Sequence, residues 1–224
     1  MATPAAIHPR ETPPALPSGS WLVPLSRAVI AAVVALVITF SSDHSPSLGL
    51  TAFAAYALIE GAIQLVWGAR NVPARFGRGA TRAQGAIGVI AGILALIVLL
   101  AIPSAHLVGL LALVGGWALI TGVLELVGGL RARGRLGNAR DWIAVGGFTL
   151  LLAIAVLLVR PEFVHNFGGD GKVPPGVLNA SIMTVGLFGA YAAIVAAYQA
   201  IAALSLKWAP TEKSVPAVSV SKGE

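Results

Sequence analysis

The sequence predicts an all-α integral membrane protein: six transmembrane helices arranged as three hairpins that repeat in parallel. Three observations lead there. Hydrophobic residues make up 57% of the chain, charged residues only 11%, and the mean hydropathy is +0.85, which leaves too little polar surface to cover a water-soluble domain of 224 residues. Six apolar stretches are each long enough to cross a bilayer. Finally, one phrase is written three times: Tyr56, Glu60, Gln64; then Trp117, Thr121, Glu125; then Tyr191, Val195, Gln199. An aromatic, a variable residue four places on and a Gln or Glu four further fall on one helix face.

Taken in order, the stretches are Trp21 to Phe40, Leu48 to Trp67, Gly85 to Ile102, Leu107 to Leu130, Trp142 to Val159 and Ser181 to Leu206. At about 1.5 Å per residue, each crosses a hydrocarbon core of about 30 Å. The first follows a Pro-rich leader, runs too long for a signal core and lacks a small-x-small cleavage site, so it reads as a retained helix. The third and fifth, the shortest, both stop at a proline, Pro103 and Pro161, which cannot continue a helix. The predicted membrane domain is 21–208, with hairpins 21–67, 85–130 and 142–206. The tails 1–20 and 209–224, Pro-containing and poor in apolar residues, are expected to be disordered in the cytoplasm.

Tyr56 to Trp117 is a step of 61 residues and Trp117 to Tyr191 a step of 74. The excess falls in a loop from Arg160 to Ala180 rich in Gly and Pro. Repeats threaded in the same sense imply a pseudo-threefold axis along the membrane normal. Small-residue stripes, Gly88 with Gly92, Ala91 with Ala95, Ala118 with Gly122 and Gly189 with Ala193 and Ala197, allow close helix contact. Packing within the chain is their first use; a homo-oligomer interface is the other.

The net charge of +6 is sorted by loop. Arg10 and Arg27 lie before or near the start of the first helix; Arg70, Arg75, Arg78 and Arg82 follow the second; Arg131, Arg133, Arg135 and Arg140 follow the fourth; Lys207, Lys213 and Lys222 follow the sixth. The opposite side carries only Arg160 and Lys172. The positive-inside bias therefore puts both termini in the cytoplasm. The expected partner of this basic rim is the lipid bilayer, including anionic lipids. Nucleic acid is not expected, because base-stacking aromatics and a binding motif are missing.

Polar residues at membrane depth are the candidate site: Arg27, Glu60, Gln64, Thr121, Glu125 and Gln199. A carboxylate near the midplane, as Glu60 is placed, costs about 2.5–3.5 kcal/mol on insertion scales, so it needs a partner or a proton. Arg27 and Glu125 lie at similar depth near the basic end. An interhelical Arg27 to Glu125 pair is the first expectation, with Glu60 as the alternative partner, while Gln64 and Gln199 are suited to bonding across helices. His44, His106 and His165 occur one per outer loop and form a candidate pH-sensing ring; their isolation in sequence argues against a metal site. Cysteine is absent. No P-loop, GxGxxG turn, GxSxG elbow or HExxH helix is present, so no catalytic residue, metal or cofactor is expected and the chain does not read as an enzyme.

These residues resemble the HdeD family of small bacterial inner-membrane proteins built from a repeated hairpin. The resemblance runs from about Ser26 to Lys207. It is carried by Ala55 to Gly61, by Gly116 to Glu125 with Arg131 and Arg133 after it, by Gly189 to Ala192, and by Pro103 and Pro161. Two departures are visible: the first hairpin has Ser41 to Pro46 where the others have an immediate proline, and the third has the lengthened outer loop. The resemblance implies a multi-pass protein of the bacterial inner (plasma) membrane with a role in acid resistance or stress response, and it carries over no catalytic or transport residues. Three function classes follow: a non-enzymatic protein of acid or envelope stress tolerance, a small proton-coupled transporter or channel using Glu60 and Glu125, and a membrane scaffold for a protein partner of unknown identity.

Overall fold

The computed structural model describes residues 19–68, 70, 77–136, 139–169 and 174–208. The tails expected at 1–20 and 209–224, apart from Gly19 and Ser20, lie outside the described residues, as do Arg10, Arg75, Lys172, Lys213 and Lys222 of the charge pattern.

Six helices carry the fold: α1 (Leu22–Phe40), α2 (Pro46–Ile63), α3 (Arg78–Ala101), α4 (His106–Ala132), α5 (Ala139–Leu157) and α6 (Ala180–Trp208). All six are long and apolar enough to cross a membrane. A π-helical turn, Gln64–Gly68, extends α2, and a 3-10 turn, Pro103–Ala105, joins α3 to α4. Local chemistry sets several ends. Ser45 caps α2 by accepting the Leu48 N–H at 3.3 Å, with Pro46 in the first turn. Asn179 Oδ1 accepts the Ile182 N–H at 3.0 Å at the start of α6.

Two regions differ from expectation. α3 starts at Arg78 rather than near Gly85, because its first turns are polar and continue the helix beyond the apolar run. The stretch 160–180, expected as a loop, contains a β-hairpin: β1 (Val164–Phe167) pairs antiparallel with β2 (Gly176–Asn179), Val164 opposite Asn179 and Phe167 opposite Gly176. The Phe167 ring lies over Gly176, where a side chain would collide.

The closest helix pairs are α4 with α5, α1 with α6, and α2 with α3. Looser contacts join α1 to α2, α3 to α4 and α5 to α6, so α6 returns to α1 and closes a ring. The second helix of each repeat, α2, α4 and α6, also touches the other two. These three form an inner triangle, with α1, α3 and α5 outside it. Glycine sets the close pairs: a methyl group built on Gly61 would stand 2.7 Å from the Gly85 carbonyl oxygen, and one on Gly129 would stand 2.8 Å from the Ile143 nitrogen. Backbones approach this closely only where side chains are missing.

Inside the triangle the repeated aromatics meet. Tyr56, Trp117 and Tyr191, joined by Phe53 and Phe188, pack with ring centroids 5.6 Å apart for Phe53 and Trp117 and 6.4 Å for Tyr56 and Tyr191. Most pairs are edge-to-face, the arrangement favoured by the ring quadrupole. Four of the five tryptophans, Trp21, Trp67, Trp142 and Trp208, lie instead near the helix ends on the arginine-rich side. Amphipathic rings at that level mark a membrane interface. Lys207 Nζ sits 4.9 Å from the Trp21 ring centre, tying the end of α6 to the start of α1.

Candidate functional site: a buried polar cluster

One to two helical turns from the aromatic layer, toward the arginine-rich end, the inner helices turn polar. The same face that carries Tyr56 carries Glu60 and Gln64; that of Trp117 carries Thr121 and Glu125; that of Tyr191 carries Gln199. All five of these polar side chains are buried. Buried polar groups at membrane depth are costly unless they are hydrogen-bonded.

Arg27 supplies most of the pairing. From α1 it reaches both carboxylates: Nε donates to Glu60 Oε1 at 2.8 Å, Nη2 stands 2.8 Å from the same oxygen, and Nη1 donates to Glu125 Oε1 at 3.1 Å. The two acceptors offered by the sequence as alternatives are both engaged. A guanidinium, planar and always charged, suits this double role better than an ammonium.

Two amides complete the cluster. Gln64 Nε2 donates to Glu60 Oε1 at 2.6 Å, along its own helix rather than across to another. Gln84, on α3, donates to Glu125 Oε2 at 3.1 Å. Sequence reasoning missed Gln84 because it placed the third segment one residue further on. The signal was present all the same: a lone amide heading an apolar helix.

Gln199 differs. It occupies the position of Gln64 and Glu125 in the third repeat and is equally buried, yet its Nε2 has no hydrogen-bond partner among the described residues. The repeat explains this. Gly85 packs on Leu65 as Gly146 packs on Leu126, so Gln84, just before Gly85, corresponds to Val145, just before Gly146. Where the second repeat supplies an amide, the third supplies an aliphatic side chain.

The remaining candidates do not join the cluster. Thr121 Oγ1 donates to the Trp117 carbonyl of its own helix at 2.7 Å. Thr149, unnoticed in the sequence, hydrogen-bonds the Tyr191 hydroxyl at 3.0 Å. The histidines stay apart. The His44 carbonyl accepts from Ser181 Oγ at 2.6 Å, His106 Nε2 donates to the Leu99 carbonyl at 3.0 Å, and His165 is exposed on β1. Among the described residues no three His, Asp or Glu side chains come together in a metal-binding group.

The arrangement is therefore a guanidinium held by two carboxylates and braced by two amides, with the mostly edge-to-face aromatic layer one turn away. It joins α1, α2, α3 and α4 through side chains alone. Residues 97–159, from the last turns of α3 through α4 and α5, match a family described as a short repeat of unknown function, DUF308. Neither the curated proteins nor the solved structures contain a match to this chain.

Proposed function

We propose that this chain is a non-enzymatic protein of the HdeD type, seated in a bacterial inner membrane with both termini in the cytoplasm, that contributes to tolerance of acid or envelope stress through membrane or partner contacts. One observation carries the reading: the charged side chains at membrane depth, Arg27, Glu60 and Glu125, are bonded to one another, and the aromatic layer beside them is tightly packed. Charges spent on holding helices together are suited to a stable membrane element, and the DUF308 match supports the repeat architecture. The motif residues around Tyr56, Trp117 and Tyr191 support the HdeD assignment.

The test is survival. Cells lacking their own proteins of this type, given this chain, are expected to survive an acid challenge better than cells carrying an empty vector. Equal survival at matched membrane expression contradicts the reading.

A second reading, a small proton-coupled transporter, is favoured by the carboxylate count: two acids face one guanidinium, one carboxyl more than the cluster has cations. It requires a hydrated path past Tyr56, Trp117 and Tyr191. Proton flux in liposomes separates the two.

A further inference from the structure

Between α5 and α6 lies a cavity of about 130 Å³ that stands apart from the polar cluster and borders the aromatic layer only at Tyr191. Phe148, Leu151 and Ala155 line it from α5, and Leu187, Ala190 and Ile194 from α6. Each set falls on one helix face by its spacing. Leu151 and Ile194 are exposed, so the groove opens outward, toward the bilayer.

We propose that this groove holds one acyl chain of an anionic phospholipid in the leaflet opposite the arginine-rich loops, with Arg160 holding the phosphate. Apart from the Tyr191 phenol, whose hydroxyl is already bonded to Thr149 at 3.0 Å, the lining is hydrocarbon and faces hydrocarbon, which favours an apolar ligand. On the α5 wall depth points to one leaflet: Ala155 and Phe148 lie two and nine residues before the end of α5 at Leu157. At 1.5 Å per residue that is about 3–14 Å, within the roughly 15 Å half-thickness of a hydrocarbon core. On the α6 wall Ile194 is the middle residue of Ala180–Trp208, so the groove ends near the midplane. Arg160 follows three residues after α5 ends and is exposed. It is the only Lys or Arg at that end among the described residues, and a phosphate is its natural counter-ion at a headgroup level.

The groove also has a cause in the repeat. By the correspondence that pairs Gly85 with Gly146, Ala155 stands where the second repeat has Leu94. The shorter side chain leaves space in the third repeat.

The experiment uses the full chain in phosphatidylcholine nanodiscs doped with a phosphatidylglycerol whose acyl chain carries a terminal photoreactive diazirine. Labelling is expected to concentrate on 148–155 and 187–194. Ala155→Leu, which restores the second repeat's residue and adds three carbons, is expected to cut labelling there at least about tenfold, since even one methylene changes occupancy of an apolar pocket by that much. Ala190→Leu fills the groove from the other wall and is expected to act alike, should the first variant fold poorly. Arg160→Gln is expected to lower the preference for phosphatidylglycerol over a phosphatidylcholine probe about fivefold. Labelling spread evenly around the bundle, labelling indifferent to both groove-filling variants, equal labelling by the two headgroups, or cross-links joining two copies of the chain would each overturn the proposal.

Discussion

Arg27 and Glu125 are separated by 98 residues of chain and by 3.1 Å in the bundle. The contact runs from an outer helix of the first repeat to an inner helix of the second. With the Arg27 to Glu60 pair at 2.8 Å, it makes one side chain the meeting point of three helices. Removing one partner of a buried pair costs far more than the pair contributes, because the other charge is stranded.

Arg27→Ala is thus expected to destabilise the protein by about 3–5 kcal/mol, read as a lowered thermal unfolding midpoint in detergent. Adding Glu60→Gln and Glu125→Gln to that variant removes the stranded charges and is expected to recover most of the loss. A single variant as stable as the parent, or a triple variant no better than the single, contradicts the account.

Glycines should divide into two classes. A methyl group on Gly61 would meet the Gly85 oxygen at 2.7 Å and the Val89 nitrogen at 2.8 Å, both backbone atoms, whereas nothing lies within 4 Å of one on Gly147. Gly61→Ala is expected to force α2 from α3 and cost about 1–3 kcal/mol. Gly147→Ala should be neutral or stabilising by up to about 1 kcal/mol. Unfolding curves of the two variants side by side check this, and equal effects would sink it.

The unpartnered amide of Gln199 makes a third contrast. Gln199→Met removes a buried donor that has no acceptor and should leave stability unchanged or higher. Gln64→Met removes the 2.6 Å bond to Glu60 and should cost about 1–3 kcal/mol, the penalty for leaving a buried charge short of a donor. If Gln199→Met is the more damaging, the amide has a partner that matters.

Much of this was legible beforehand, for definite reasons. The helices show themselves because lipid demands long apolar runs, and the Tyr56, Trp117 and Tyr191 phrase marks the inner faces because helical spacing is regular. Helix starts were less legible: Arg78 to Gln84 read as a loop because hydropathy sees polarity, not backbone hydrogen bonding. The β-hairpin of Val164 to Asn179 escaped notice because its strands are four residues each, too short for alternation to register. Pairing was hidden as well. The chain connects α1 to α2 and α3 to α4 by short outer turns, yet the closest contacts lie between α2 and α3, α4 and α5, and α6 and α1, where Gly61, Gly122 and Gly189 admit a neighbour. Within the site, Arg27 and both acids stood out as charges in apolar sequence. Their convergence on one atom group, and the part of Gln84, depend on helix rotation, which no local pattern specifies.

The most direct test of a polar cluster that locks the bundle rather than conducts is proton flux. Purified protein in liposomes carrying a pH-sensitive dye is given an acid jump outside. The account predicts acidification no faster than in protein-free liposomes, with Glu60→Gln indistinguishable from the parent. Rapid acidification by the parent that Glu60→Gln abolishes would contradict it.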